Sequence, residues 1–227
     1  MVKIQYQFKR TKRLRFLSHL DQQRLFQRAF RRADIPVEYS QGFNPHPKMS
    51  FALAMSVGLT SDGEYGEVIV SKDIDVDEFI NSMNQVLPKG LEIISAMVCP
   101  AEVESLSASL RKSVYRLELN LAPGIEIEKA TKTIESFLAL PQILIQKRNK
   151  KGKFVEKDIR PFIESLLVIE DDEEEKLNLK MTLLYIDQQC VKPEQIIESI
   201  NNQNGVIFLI DPTTRIHREK LLLNADS

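Results

Sequence analysis

Cysteine is nearly absent from this 227-residue chain. Cys99 and Cys190 stand far apart, so the sequence encodes neither a disulfide framework nor a zinc site. Two thiols also fall short of the set that an iron–sulfur cluster takes from its protein. No apolar run suits a bilayer: the longest, around Phe51 to Leu59, is far below the ~20 residues of a spanning helix. Lys3, Lys9 and Arg10 open the chain without an apolar stretch behind them, which speaks against export. Also missing are a glycine-rich phosphate loop ending in Lys-Ser/Thr, a G-x-G-x-x-G turn, a nucleophile elbow and an H-E-x-x-H helix. A catalytic site would have to assemble from scattered residues. The expectation is a cytoplasmic protein that holds no cofactor and no metal of its own.

A hydrophobic share of 43% and a charged share of 28% are those of an ordinary globular protein. The net charge of −1 hides an asymmetry. Residues 1–50 hold eleven Lys/Arg against three Asp/Glu, a balance of +8, and the remainder stands at −9. A basic end of this kind points to an anionic partner.

Hydrophobic periodicity predicts a strand over 2–8 and a helix from Ser18, as N-cap, to about Ala33, ending before Ile35-Pro36. Strands over 49–57 and 65–70 follow, joined by a Ser/Asp/Gly turn, then a helix over 75–87 and a strand over 91–98. The second half approximately repeats the order, with strands near 114–121, 166–169, 177–186 and 206–210 and helices over 126–140 and 193–202. A further strand over 143–147 returns through Phe154 and Val155 after a lysine-rich turn. The predicted class is α+β: two tandem ferredoxin-like (β-α-β-β-α-β) units with antiparallel sheets, over residues 1–100 and 113–227.

On the first helix, Leu25, Phe26, Ala29, Phe30 and Ala33 share the side that must face a sheet. Arg24, Arg28 and Arg31 fall together opposite, with Gln27 among them and Arg32 at the margin, and no acid lies between Asp21 and Asp34. Arginine forks two hydrogen bonds onto a phosphate and stacks on bases, so this face suits an RNA backbone. Lys9, Arg10, Lys12, Arg13 and Arg15 precede the helix and would extend the same path.

The segment Ser40-Gln-Gly-Phe-Asn-Pro-His-Pro-Lys48 reads as a stiff loop. Pro45 and Pro47 fix the backbone on both sides of His46, so Asn44, His46 and Lys48 are presented together. Phe43 serves either as packing or as a stacking surface. Under a rival, catalytic reading, His46 is a general acid/base and Lys48 stabilises a charged transition state in a metal-independent ribonuclease or RNA-modifying enzyme. A third reading is a protein adaptor whose arginines meet acidic protein. His19 falls toward the apolar side of the helix and reads as packed; His217 falls in a charged C-terminal tail. A second basic cluster, Lys147, Arg148, Lys150, Lys151 and Lys153, surrounds Gly152 at a hairpin tip, and Glu170 to Glu175 form an acidic turn.

Phe16-Leu-Ser-His-Leu-Asp21, Arg28-Ala-Phe-Arg-Arg-Ala33 and Tyr39-Ser-Gln-Gly-Phe-Asn-Pro-His-Pro-Lys48 together resemble the signature of the radical-SAM-linked protein family. Phe51 to Gly58 and Gly63-Glu-Tyr65 continue it, and Asp158-Ile-Arg-Pro161 resembles a later motif. The resemblance implies an uncharacterised bacterial protein encoded beside, or fused to, a radical SAM protein. Neighbouring ribonuclease and ribosomal-protein genes in that family imply RNA or the ribosome as a second partner. Any cluster would then sit on the other chain, which agrees with the cysteine count. The expected function is an RNA-binding or substrate-presenting accessory role, with no membrane and no DNA as partner.

Overall fold

The computed structural model describes residues 2–148, 152–169, 176–211 and 214–224. Along the chain run β1 (Val2–Arg10), α1 (His19–Arg32), β2 (Met49–Phe51), β3 (Leu59–Val70), α2 (Val76–Val86), β4 (Leu91–Pro100) and the single turn α3 (Leu106–Ser109). Then come β5 (Leu110–Leu121), α4 (Ile127–Leu138), β6 (Leu144–Arg148), β7 (Phe154–Asp158), β8 (Ile163–Ile169) and β9 (Lys176–Leu184). The last elements are α5 (Pro193–Asn204), β10 (Phe208–Leu209) and β11 (Arg215–Leu223). The class is α+β with antiparallel strand pairing, as the sequence predicts.

The chain divides into two units: Met1–Leu110 with Arg218–Ser227, and Arg111–His217. The grouping of 113–227 therefore needs correction, because the C-terminal strand from Arg218 on belongs with the first unit.

In the first unit the strand order is β4-β1-β3, with β2 and β11 both paired to β3. β1 alternates, sending Ile4, Tyr6 and Phe8 inward at 0–1% exposure. Tyr6 and Phe8 meet Phe26 and Phe30 of α1, Phe51 and Phe79, with ring centroids 5.0 Å apart for Phe8–Phe26 and 5.2 Å for Phe26–Phe51. These tilted and edge-on contacts suit the ring quadrupole and fix α1 on the sheet. Gly66 makes room for Tyr6, since a Cβ there would stand 2.5 Å from the tyrosine ring.

Ser18 caps α1: its hydroxyl accepts from the Asp21 N–H at 3.1 Å and donates to the Asp21 carboxylate at 2.7 Å. At the other end Asp34 turns left-handed (φ 53°), and the Ile35 N–H reaches back to the Phe30 carbonyl at 3.0 Å.

Two stretches differ from the sequence expectation. The strand expected over 49–57 stops at Phe51, and residues 59–64, read as a turn, form the first half of β3. The burial of β3 explains why: Ser61, Glu64 and Glu67 are interior polar residues that mask a strand pattern. Likewise the charged C-terminal tail is β11, and His217 within it is engaged rather than unpartnered.

In the second unit the order is β10-β5-β9-β8, covered by α4 and α5. Between α4 and β8 the chain makes a separate two-stranded sheet, β6-β7. Lys150, Lys151 and the acidic residues 170–175 lie outside the described residues.

Candidate nucleic-acid interface

α1 buries Gln22, Phe26, Ala29 and Phe30, which leaves Arg24, Arg28 and Arg31 exposed on the far side. Opposite them, the 40–48 loop is closed at its neck by His46. The Ser40 N–H donates to the His46 carbonyl at 2.8 Å, and the His46 N–H donates to the Ser40 hydroxyl at 3.0 Å. Tyr39 bridges to Pro47, and the Lys48 N–H donates to the Glu38 carbonyl at 2.8 Å. Gly42 takes φ 128°, a value that L side chains resist, to turn the loop tip.

Arg24, Gln27, Arg28, Arg31, Tyr39, Pro45, His46 and Pro47 line one open concavity of about 270 Å³. Two segments singled out separately in the sequence thus share one site. Its lining contains three guanidinium groups and no carboxylate. Asp21 approaches Arg24 to 3.9 Å at the rim, and that contact is weak because both side chains are more than half exposed. Three like charges facing one hollow create a positive potential that attracts an anion. Guanidinium forks, a neutral amide, a phenol and an imidazole together suit an oxyanion next to a planar group.

Not every expected residue joins this site. Asn44 and Lys48 are exposed on the loop, and Arg32 is exposed at the end of α1, outside the lining. Arg13 is exposed on the 3-10 turn before α1, and Arg15 lies over the Phe16 ring at 4.8 Å. Lys9 pairs with Glu92 at 2.7 Å. Phe43 is fully exposed at the loop tip, so it does not plug the core.

Arg10 must be removed from the basic path altogether. It is fully buried and donates to Gln22 Oε1 at 2.9 Å and to the carbonyls of Ser56 and Leu59 at 2.9 and 2.8 Å. It rivets β1 to α1 and to the start of β3. Burial pulls its guanidinium down to about 10, with Glu64 opposing and Arg218 adding to the shift. Glu64 itself accepts a forked pair of bonds from Arg218 at 2.8 and 2.7 Å.

His19 packs edge-on against Phe51, with centroids 5.9 Å apart. Desolvation, followed by the charge of Arg10, holds its pKa below the ordinary 6.5. The sign follows from proton counting. Between the folded value and 6.5 the unfolded chain binds more protons, so stability rises with pH there and is complete above about 6.5. Acidification below that value should weaken the protein, and His19→Phe should reduce the acid loss. Urea midpoints at mildly acidic and neutral pH measure it; identical acid loss in both proteins would contradict the assignment.

Asp158 and Arg160 do not pair with each other through their side chains. The Asp158 carboxylate accepts the Ile143 and Arg160 N–H groups, both at 3.0 Å, while the guanidinium donates to the carbonyls of Leu140 and Ile163. The motif staples the base of the β6-β7 sheet. Among the described residues, no group of three or more His, Cys, Asp or Glu is placed to hold a metal, and no helix is long and apolar enough to cross a membrane.

The fold is α+β, and its first helix and the 40–48 loop together form an arginine-lined concavity. Residues 3–193 match the family described as an uncharacterized protein conserved in bacteria (DUF2344), and the chain belongs to that family. No curated protein matches the sequence. Among solved structures, a chain of a Cbf5-Nop10-Gar1 complex shows 9% identity and a TM-score of 0.48 over 94% of this chain and 48% of its own length. This chain therefore spans about half of that one. An unknown protein from Galdieria sulphuraria shows 11% identity and a TM-score of 0.26, covering 98% of this chain and 100% of its own. Similarity at this level says nothing about what the chain binds.

Proposed function

We propose that this protein is an RNA-binding or substrate-presenting accessory partner of a radical SAM enzyme acting on RNA or the ribosome. The carrying observation is the convergence of Arg24, Arg28, Arg31 and His46 on one concavity with no carboxylate in its lining. The arginines hold phosphates, and the proline-stiffened loop, with Phe43 at its tip, meets the nucleotide or the enzyme. The radical SAM partner comes from the family resemblance, and the scarcity of cysteine supports placing the cluster on that partner. Each unit is read as ferredoxin-like. The orders β4-β1-β3-β2 and β10-β5-β9-β8 support this, with β6-β7 and β11 as additions. The site lies in a cytoplasmic protein on this reading.

On this account His46 positions RNA and transfers no proton. Purified, metal-free protein should leave labelled RNA intact from acid to alkaline pH, and His46→Ala should weaken binding alone. Gel analysis of the RNA decides. Cleavage by wild type that His46→Ala loses, with the ~10²–10⁴-fold contribution of a general acid/base, would replace the accessory role with the ribonuclease reading. Crosslinking in cells should recover RNA with the wild type.

A further inference from the structure

β6-β7 is an addition to the second unit that the arginine groove does not use. Its base is held firmly. The Ile159 N–H donates to the Ile143 carbonyl at 2.8 Å, both isoleucines are fully buried, and the Asp158–Arg160 staple surrounds them. Beyond the base the strands pair only with each other; Lys147, Arg148, Phe154, Val155 and Glu156 are exposed, and Ile145 and Lys157 are half-buried. An isolated two-stranded ribbon is marginal in water, so the buried base is what holds this one in place.

Register sorts its side chains into two faces. One face carries Ile145 opposite Lys157 and Lys147 opposite Val155. No acid lies among these four, and the two lysines are diagonal neighbours. Their proximity is felt: after desolvation, the charge of Lys147 is the next cause lowering the Lys157 pKa. Lys157 also stands over the Phe162 ring at 4.2 Å. The other face pairs Arg148 with Phe154, the guanidinium lying 5.1 Å from the ring centroid and the ring 64% exposed. Its acids are engaged: Glu156 with Gln146, and Asp158 with backbone N–H groups.

Point charges on one face and a flat cation–aromatic pair on the other match a polymer that alternates phosphates with planar rings. An acidic peptide would use the lysines and leave Phe154 idle. We propose that β6-β7 is a second RNA contact, with Lys147 and Lys157 on phosphates and Phe154, backed by Arg148, stacking on a base. Its choice of RNA rests on the function proposed above.

The test is fluorescence anisotropy of the full chain with a labelled single-stranded RNA of about 16 nucleotides. Phe154→Ala should weaken binding about tenfold, the scale of one lost stacking contact. Lys147→Ala with Lys157→Ala should lower the log–log salt slope by about 1.4, at about 0.7 per phosphate. Hairpin variants that bind as wild type, while Arg24→Ala/Arg28→Ala/Arg31→Ala has lost affinity, would overturn this proposal and leave the groove standing. Loss in the hairpin variants alone would support the ribbon and remove the groove. An effect of the lysines without one of Phe154 would mean attraction to any polyanion and would overturn the proposal. No measurable binding by wild type would overturn both.

Discussion

Glu64→Gln is expected to cost the first unit about 3–5 kcal/mol, the scale of breaking a buried ion pair from one side. Glu64 and Arg218 are 1% and 3% exposed, so water cannot compensate the partner left behind. The glutamate also offsets the charge of Arg10, which is fully buried and bonded to neutral acceptors. Its neutralisation leaves two interior guanidinium groups repelling each other. Arg218→Met should cost less, because Arg10 still faces Glu64 and the methionine stem fills part of the vacated space. Chemical denaturation followed by circular dichroism gives the order. Equal losses in the two variants, or a loss below about 1 kcal/mol for Glu64→Gln, would show that the network does not hold this unit together.

That network was hidden from sequence reasoning for a physical reason. Alternation identifies a strand when inward residues are apolar, as Ile4, Tyr6 and Phe8 are in β1. In β3 the inward set includes Ser61, Glu64 and Glu67, and in β11 it includes Arg218. Each segment therefore reads as polar surface until its partner is known, and the partners lie 154 residues apart. Arg10 was misplaced for the same reason: in sequence it stands among Lys9, Lys12 and Arg13, with nothing to mark its burial.

The groove was far more legible. Local rules place it: the Ser18 cap sets the helix, the 100° step groups Arg24, Arg28 and Arg31, and two prolines stiffen the loop around His46. What the sequence could not supply was the meeting of the two segments. Tertiary pairing decides that, through Val37 beside Val70 and β2 beside β3, and these bring the loop back across α1. Tyr39 went unnoticed as part of the wall because its place depends on the bridge to Pro47. The same tertiary geometry leaves Asn44 and Lys48 outside the hollow.

The second large effect concerns the arginines themselves. Each phosphate they neutralise releases condensed counterions, so removing three contacts should flatten the log–log dependence of affinity on salt by about 2.1 for a single strand. Diluting salt tenfold would then strengthen wild type about a hundredfold more than Arg24→Ala/Arg28→Ala/Arg31→Ala. The three side chains are exposed and support no core contact, so the variant should fold as wild type does. The direct measurement is therefore a salt titration of RNA affinity for the two proteins, with folding checked by circular dichroism. The account predicts the shallower slope and weaker low-salt binding in the folded triple variant. Superimposable salt lines would contradict it and remove this face of the first helix from any role in holding RNA.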